Sequence, residues 1–282
     1  MKTEKKRVGT KARTRVRKER ERHRAMFLAI IPIIVIFSAY FTYNFLNPTQ
    51  NQTTNPASSQ LKAAIIDQLS LTFPNQTFIE TATNTLKQAG YTVDYYPGEK
   101  VTVEFYKNLP THGYKIIILR VHSAIGKEGE PPVSLFTSEL YDKTRYVYEQ
   151  LTDQLTGVYY NVSGEEQIYF GILPNFVWSS MNGRFQNSII IMMGCHGLTY
   201  TGMAKEFVEK GAKVYISWSV SVSASHTDLA TTHLLQHFLI EKLTLKHSVQ
   251  ETFKEVGFDP TYGSLLIYYP LEVGEQTIES KN

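Results

Sequence analysis

Apolar and polar positions change rhythm several times along this chain, and each change marks an element. The first block is AMFLAIIPIIVIFSAYFTY, Ala25 to Tyr43, apolar and uncharged throughout. As a helix it would reach about 28 Å, close to the hydrocarbon thickness of a bilayer. Tyr40, Phe41, Tyr43 and Phe45 crowd its end, where aromatic rings favour the headgroup interface. The pattern predicts one transmembrane helix over residues 25–46. A polar, uncharged stretch with Pro48 and Pro56 follows over 47–60 and reads as a flexible linker.

From residue 61 to 282 the rhythm alternates between strand-like and helix-like. KAAIID, YTVDYY, YKIIILRV, NSIIIMM, AKVYIS and GSLLIYY read as strands. YKIIILRV and NSIIIMM are apolar on both faces, as central strands of a parallel sheet are. Apolar spacing near 3.6 residues predicts a helix in NQTFIETATNTLKQAG, ending at Gly90, and another in TGMAKEFVEKG, ending at Gly211. Further helices are predicted over Asp142–Leu155, in ASHTDLATTHLLQHFLIEKL and in HSVQETFKEVG. Strand–helix alternation predicts an α/β domain with a mainly parallel central sheet between helical layers.

Charge sharpens this picture at the N-terminus. Residues 1–24 hold 12 of the 29 Lys and Arg against 3 of the 26 Asp and Glu, which leaves 17 basic and 23 acidic residues for the rest. A basic tail beside an apolar span places the tail in the cytoplasm and the domain outside by the positive-inside rule. A secretory signal would have a shorter apolar core and a small-residue cleavage site, so an uncleaved anchor is expected in the cell membrane. Orientation and anionic lipid account for the basic tail, and no nucleic-acid partner is expected. Sequons at Asn51, Asn75 and Asn161 fit an external location.

Ligands of open parallel sheets sit beyond the carboxyl ends of the strands. His122 directly follows YKIIILRV, and Cys195, the single cysteine, follows NSIIIMM by Gly194. If the two strands are parallel neighbours, thiol and imidazole emerge at one edge, the minimum for nucleophilic thiol chemistry. A free thiol is mostly protonated at pH 7, and an adjacent imidazole can take its proton. Backbone N–H groups of Ser123 and Cys195 are the candidate oxyanion donors. The competing reading of Cys195 is a packed core thiol. One Cys with His196 falls short of a zinc ligand set, so no metal is expected there. His233 and His237 have the i, i+4 spacing that can hold a metal, yet no third ligand is evident in the sequence, and they read as structural histidines.

The motifs IIILRVHSA and IIIMMGCHG resemble those of the caspase-like (clan CD) cysteine peptidases, the group of caspases, gingipains, legumain, separase and CHAT domains. GMAKEFVEKGAKVYISWSVSVSASHTD is similar to the segment after the catalytic Cys in gingipain and CHAT-type members. The likeness covers nearly all of 61–282. It implies a caspase-like three-layer sandwich with strand order 2-1-3-4-5-6, Cys195 as nucleophile and His122 as base, with no cofactor. It also implies a substrate groove lined by the Trp218–Ser223 loop, including Trp218, Ser219 and Ser221. Asp228 is a candidate acid for a basic-residue pocket or an ordinary first-turn carboxylate. Ser123 replaces the family's usual Gly after the His, and Gly194 its usual Asp, Ala or Ser before the Cys. The expectation is a membrane-anchored cysteine peptidase acting on peptide or protein substrates; the alternative is an inactive caspase-like binding or sensory module at the cell surface.

Overall fold

The computed structural model describes residues 61–278 apart from Ser163. The basic tail, the expected span at 25–46 and the expected linker lie outside the described residues, as does the sequon at Asn51. Among the described residues no helix is long and apolar enough to cross a membrane.

Ten strands form two sheets. In chain order they are β1 (Lys62–Asp67), β2 (Thr92–Pro97), β3 (Ile116–Arg120), β4 (Ser123–Ala124) and β5 (Ser134–Leu140). Then come β6 (Leu155–Val162), β7 (Glu165–Ile172), β8 (Ser188–Met192), β9 (Ala212–Trp218) and β10 (Leu266–Tyr269). The larger sheet has the order β10-β9-β8-β3-β1-β2. Numbering only its own strands, that is 2-1-3-4-5-6, the order implied by the family resemblance. All neighbours in it are parallel except β10, which runs antiparallel to β9.

Every residue of β3 and of β8 is buried, because helices cover both faces of the sheet. The helices are α1 (Gln76–Gln88), α2 (Val103–Asn108), α3 (Val147–Leu151), α4 (Pro174–Ser179), α5 (Gly202–Glu209), α6 (Ala224–Leu235) and α7 (Leu245–Val256). One set of sheet residues, with Ile117, Leu119, Ile190 and Met192, packs against Tyr106 of α2, Phe176 of α4 and Phe207 of α5. The alternating set, with Ile116, Ile118, Ile189 and Ile191, packs against Phe78 and Leu86 of α1, Leu234 of α6 and Leu245 of α7. The six-stranded sheet is thus the middle layer of a helix–sheet–helix sandwich, with a separate core on each face.

The second sheet is antiparallel, order β4-β5-β7-β6, and was not expected from the sequence. Its strands flank the region read as a helix over Asp142–Leu155, which is helical only in α3, Val147–Leu151, and whose last residue, Leu155, already opens β6. β6 and β7 pair in a hairpin, Val162 opposite Glu165, so that the Asn161 sequon sits beside its turn with Asn161 exposed. Asn75 is engaged differently. It caps α1, accepting from Phe78 N–H at 3.1 Å, while its amide nitrogen donates to Asp228 Oδ2 at 2.8 Å. A glycan there would have to displace that bond.

Candidate active site

The register between β3 and β8 sets the site. Leu119 pairs with Met192, and His122 and Cys195 each lie three residues beyond that pair. Parallel neighbours run about 5 Å apart, so both chains leave the sheet side by side at its carboxyl edge. His122 and Cys195 line one cavity of about 360 Å³. A larger hollow of about 710 Å³ opens at the opposite, amino ends of the strands, beside Leu61 and Lys115; its lining holds neither a cysteine nor a histidine.

The ring of His122 is fixed from several sides. Its Nε2 shares a hydrogen bond of 3.0 Å with Thr72 Oγ1, and the His122 backbone N–H donates to Gln68 Oε1 at 2.8 Å. Phe73, Phe136 and Tyr160 surround the ring at centroid distances of 6.0, 5.9 and 5.4 Å. Among the described residues Nδ1 makes no hydrogen bond, which leaves it as the nitrogen for proton transfer. Burial, with the nearby Arg120 charge adding to it, pulls the His122 pKa down to about 4. The imidazole is therefore neutral at physiological pH and can act as a base.

Cys195 is half-buried at the cavity wall. Its Sγ donates to Val222 O and accepts from Val222 N–H, both at 3.5 Å. These weak bonds hold the thiol against the loop after β9; no hydrogen bond joins it to His122. Two glycines permit this path. A Cβ on Gly194 would stand 2.3 Å from Val121 O and 2.4 Å from Ser123 Oγ, and one on Gly197 would stand 2.0 Å from Ser217 Oγ. Between them His196 takes a left-handed φ of 59°, which L-residues with a Cβ seldom adopt. It is held there by its N–H to Val220 O and by ring bonds to Thr199 Oγ1 at 3.0 Å and Ser221 Oγ at 2.9 Å. Strain of this kind concentrates at functional turns.

The expected oxyanion donors are free of competing bonds. Phe136 N–H donates to His122 O at 2.9 Å, so by the alternation of an antiparallel ladder Ser123 N–H faces away from β5. Cys195 N–H makes no hydrogen bond among the described residues. The Ser123 side chain plays a different part: its hydroxyl donates to Cys195 O and ties the two strand ends together.

Four residues expected to line the groove do not line this cavity. Trp218 is 1% exposed; its Nε1 donates to Thr227 Oγ1 at 2.8 Å, whose hydroxyl donates in turn to Met193 O. Ser219 Oγ accepts from Leu265 N–H, and Ser221 is bound to His196. Asp228 is buried in a bidentate pair with Arg120, at 2.7 and 2.8 Å. Arg120 also binds Asp67 at 2.7 Å and Phe73 O at 2.7 Å, so Asp228 offers no free charge to a substrate. Burial outweighs the guanidinium at Asp67 and holds its pKa above the ordinary carboxylate value.

The cavity walls are instead Leu69, Phe73 and Val121 on the His122 side, and Val222, Ala224 and Tyr262 on the Cys195 side. His122 is the one basic group among its lining residues, and none is acidic. Tyr262 belongs to a turn organised by buried Asp259, which accepts from Thr261 N–H and Tyr262 N–H and from the backbone and hydroxyl of Ser223. Burial opposes its charge, but these four bonds keep its pKa low.

No known protein family and no curated protein matches this chain. Among solved structures, it is similar to protein GSU0716 from Geobacter sulfurreducens at 7% identity, over 77% of this chain and 97% of that one, with a TM-score of 0.37. A likeness that low supports no assignment.

Proposed function

We propose that the domain is a cysteine peptidase of caspase-like fold, held at a membrane by residues 25–46, that cleaves peptide bonds through Cys195 and His122. The observation that carries this reading is the shared cavity: the chain's one thiol and a neutral imidazole leave adjacent parallel strands at matched positions and face the same space. In the proposed cycle His122 takes the Cys195 proton as Sγ attacks the substrate carbonyl carbon. The oxyanion is received by Ser123 N–H and Cys195 N–H, where donors preset for developing charge act most strongly. His122 then gives the proton to the leaving amine as the C–N bond breaks. Water hydrolyses the acyl-enzyme, with His122 again as base.

The apolar lining favours an uncharged, apolar side chain next to the scissile bond, since a buried charge without a partner is costly. Fluorogenic peptides varied at that one position test both points. Hydrolysis by the wild type, lost in Cys195→Ala and best with apolar residues, is expected. No hydrolysis, or hydrolysis unchanged in Cys195→Ala, refutes the reading.

A non-catalytic binding module is the second reading. The observation favouring it is that Sγ is bonded to the Val222 backbone rather than to His122. Apo catalytic hydrogen bonds are often absent until substrate binds, and modification kinetics separate the two.

A further inference from the structure

We propose that His233, His237 and Glu255 form a binding site for a divalent transition-metal ion, with zinc-like preference, that ties α6 to α7. His237 stands on a single π turn, Gln236–Ile240, that continues α6. Such turns insert a residue into a helix and recur at functional sites. The turn brings the His237 ring over α7, where sequence spacing alone supplied two ligands and the fold adds the third.

The geometry converges on one oxygen. Glu255 Oε2 is contacted by His233 Nδ1 and, at 3.1 Å, by His237 Nε2. The ligand atoms of the three residues lie within 4.8 Å of one another. Ligands at about 2.0–2.2 Å from a tetrahedral zinc stand roughly 3.4 Å apart, so small rotamer changes suffice to close around an ion. Two imidazoles and one carboxylate are the ligand types of an open zinc site, the fourth position being left to water.

The surroundings fit a metal ligand too. The other ring nitrogen of His237, Nδ1, is 2.8 Å from Glu241 Oε2. A carboxylate on the far side of an imidazole fixes its tautomer and raises its basicity toward a metal. His237 is 9% exposed and firmly placed, whereas His233 and Glu255 are 35% and 43% exposed and give an ion access. This set lies apart from Cys195, yet it clamps the elements behind the cavity: α6 starts at Ala224 in its wall, and α7 leads to Asp259 and Tyr262. The metal would thus brace that wall from behind, independently of whether Cys195 is catalytic.

The test is titration of the metal-stripped full-length protein with Co²⁺, then Zn²⁺, beside Glu255→Gln and His233→Gln. One equivalent is expected to bind, with the visible absorption of tetrahedral cobalt and no thiolate charge-transfer band. Each variant should weaken binding at least about tenfold. Saturating zinc should raise the wild-type Tm by about 5–10 °C and leave the variants nearly unchanged. Glu255→Gln substitutes a part-exposed side chain, so its fold is expected to survive, and its unliganded Tm checks this. The absence of stoichiometric binding at micromolar metal, a thiolate band placing the ion on Cys195, or wild-type affinity in both variants would overturn the proposal.

Discussion

Protonating His122 should destabilise the fold, and the size of the effect follows from its surroundings. The ring sits among Phe73, Phe136 and Tyr160, two residues from the buried Arg120 guanidinium. Its pKa falls from 6.5 to about 4 on folding. A depressed histidine pKa means that the unfolded chain binds a proton the native chain refuses. Stability from this group is therefore complete above the unfolded pKa and is lost as pH falls from 6.5 toward 4. At pH 5 the two pKa values correspond to about 2 kcal/mol, at 1.36 kcal/mol per unit. The ring borders a cavity open to solvent, whose screening reduces this to about 1–2 kcal/mol. The assay is urea unfolding at pH 7.5 and pH 5.0 for the wild type and His122→Gln, a side chain that cannot take up the proton. Titration of every other group is common to both proteins, and the Thr72 bond lost in the variant is lost at both pH values. The wild type should lose about 1–2 kcal/mol more than the variant between the two pH values. Equal losses would show that the ring is not held neutral by its environment, and the base assigned to the site would lose its physical basis.

Other consequences can be checked alongside. Arg120→Met leaves the buried carboxylates of Asp67 and Asp228 without a counter-ion and should cost about 3–5 kcal/mol in chemical unfolding, whereas a surface pair such as Lys254–Glu251 should be worth under about 1 kcal/mol. Gly194→Ala forces a methyl group into Val121 O and Ser123 Oγ; peptide hydrolysis should fall by about 10²-fold or more from the displaced thiol, and an unchanged rate would refute the close-approach argument. Ser123→Ala removes the hydroxyl bond to Cys195 O but keeps the backbone N–H, so thermal unfolding should report a loss of about 1 kcal/mol while activity stays within a few-fold. A collapse of activity in that variant would move the oxyanion role from the Ser123 backbone to its side chain.

Much of the architecture was legible because burial on both faces writes an unbroken apolar run. β3 and β8 were recognisable from that alone, and the helix α1 from its 3.6 spacing and the stop at Gly90. Placing His122 and Cys195 at one edge needed only the premise that those strands are parallel neighbours. The second sheet was missed because its strands are short or half-exposed, so no strong run marks them. Its hairpin still carried a signal: TGVYYNV and EEQIYFGI are rich in β-branched and aromatic residues and flank Ser163-Gly164. Of the cavity walls, only Val222 and Ser223 fall in the Trp218–Ser223 loop expected to line the groove, and the rest were beyond sequence reasoning for a different reason. Trp218 and Asp228 carry more chemistry than Val222 or Ala224, but the fold turns the first two inward, to Thr227 and to Arg120. Likewise Glu255 joins His233 and His237 across a separation that no local spacing encodes.

The most direct test of the central claim is modification of the full-length protein by a peptidyl acyloxymethyl ketone with an apolar first residue, followed by mass mapping of the adduct. The reading predicts rapid alkylation of Cys195 in the native wild type, slowed by about 10²-fold or more in His122→Ala. A native thiol that stays unmodified, yet reacts with iodoacetamide once the protein is denatured, would contradict it. Equal rates with and without His122 would contradict it as well.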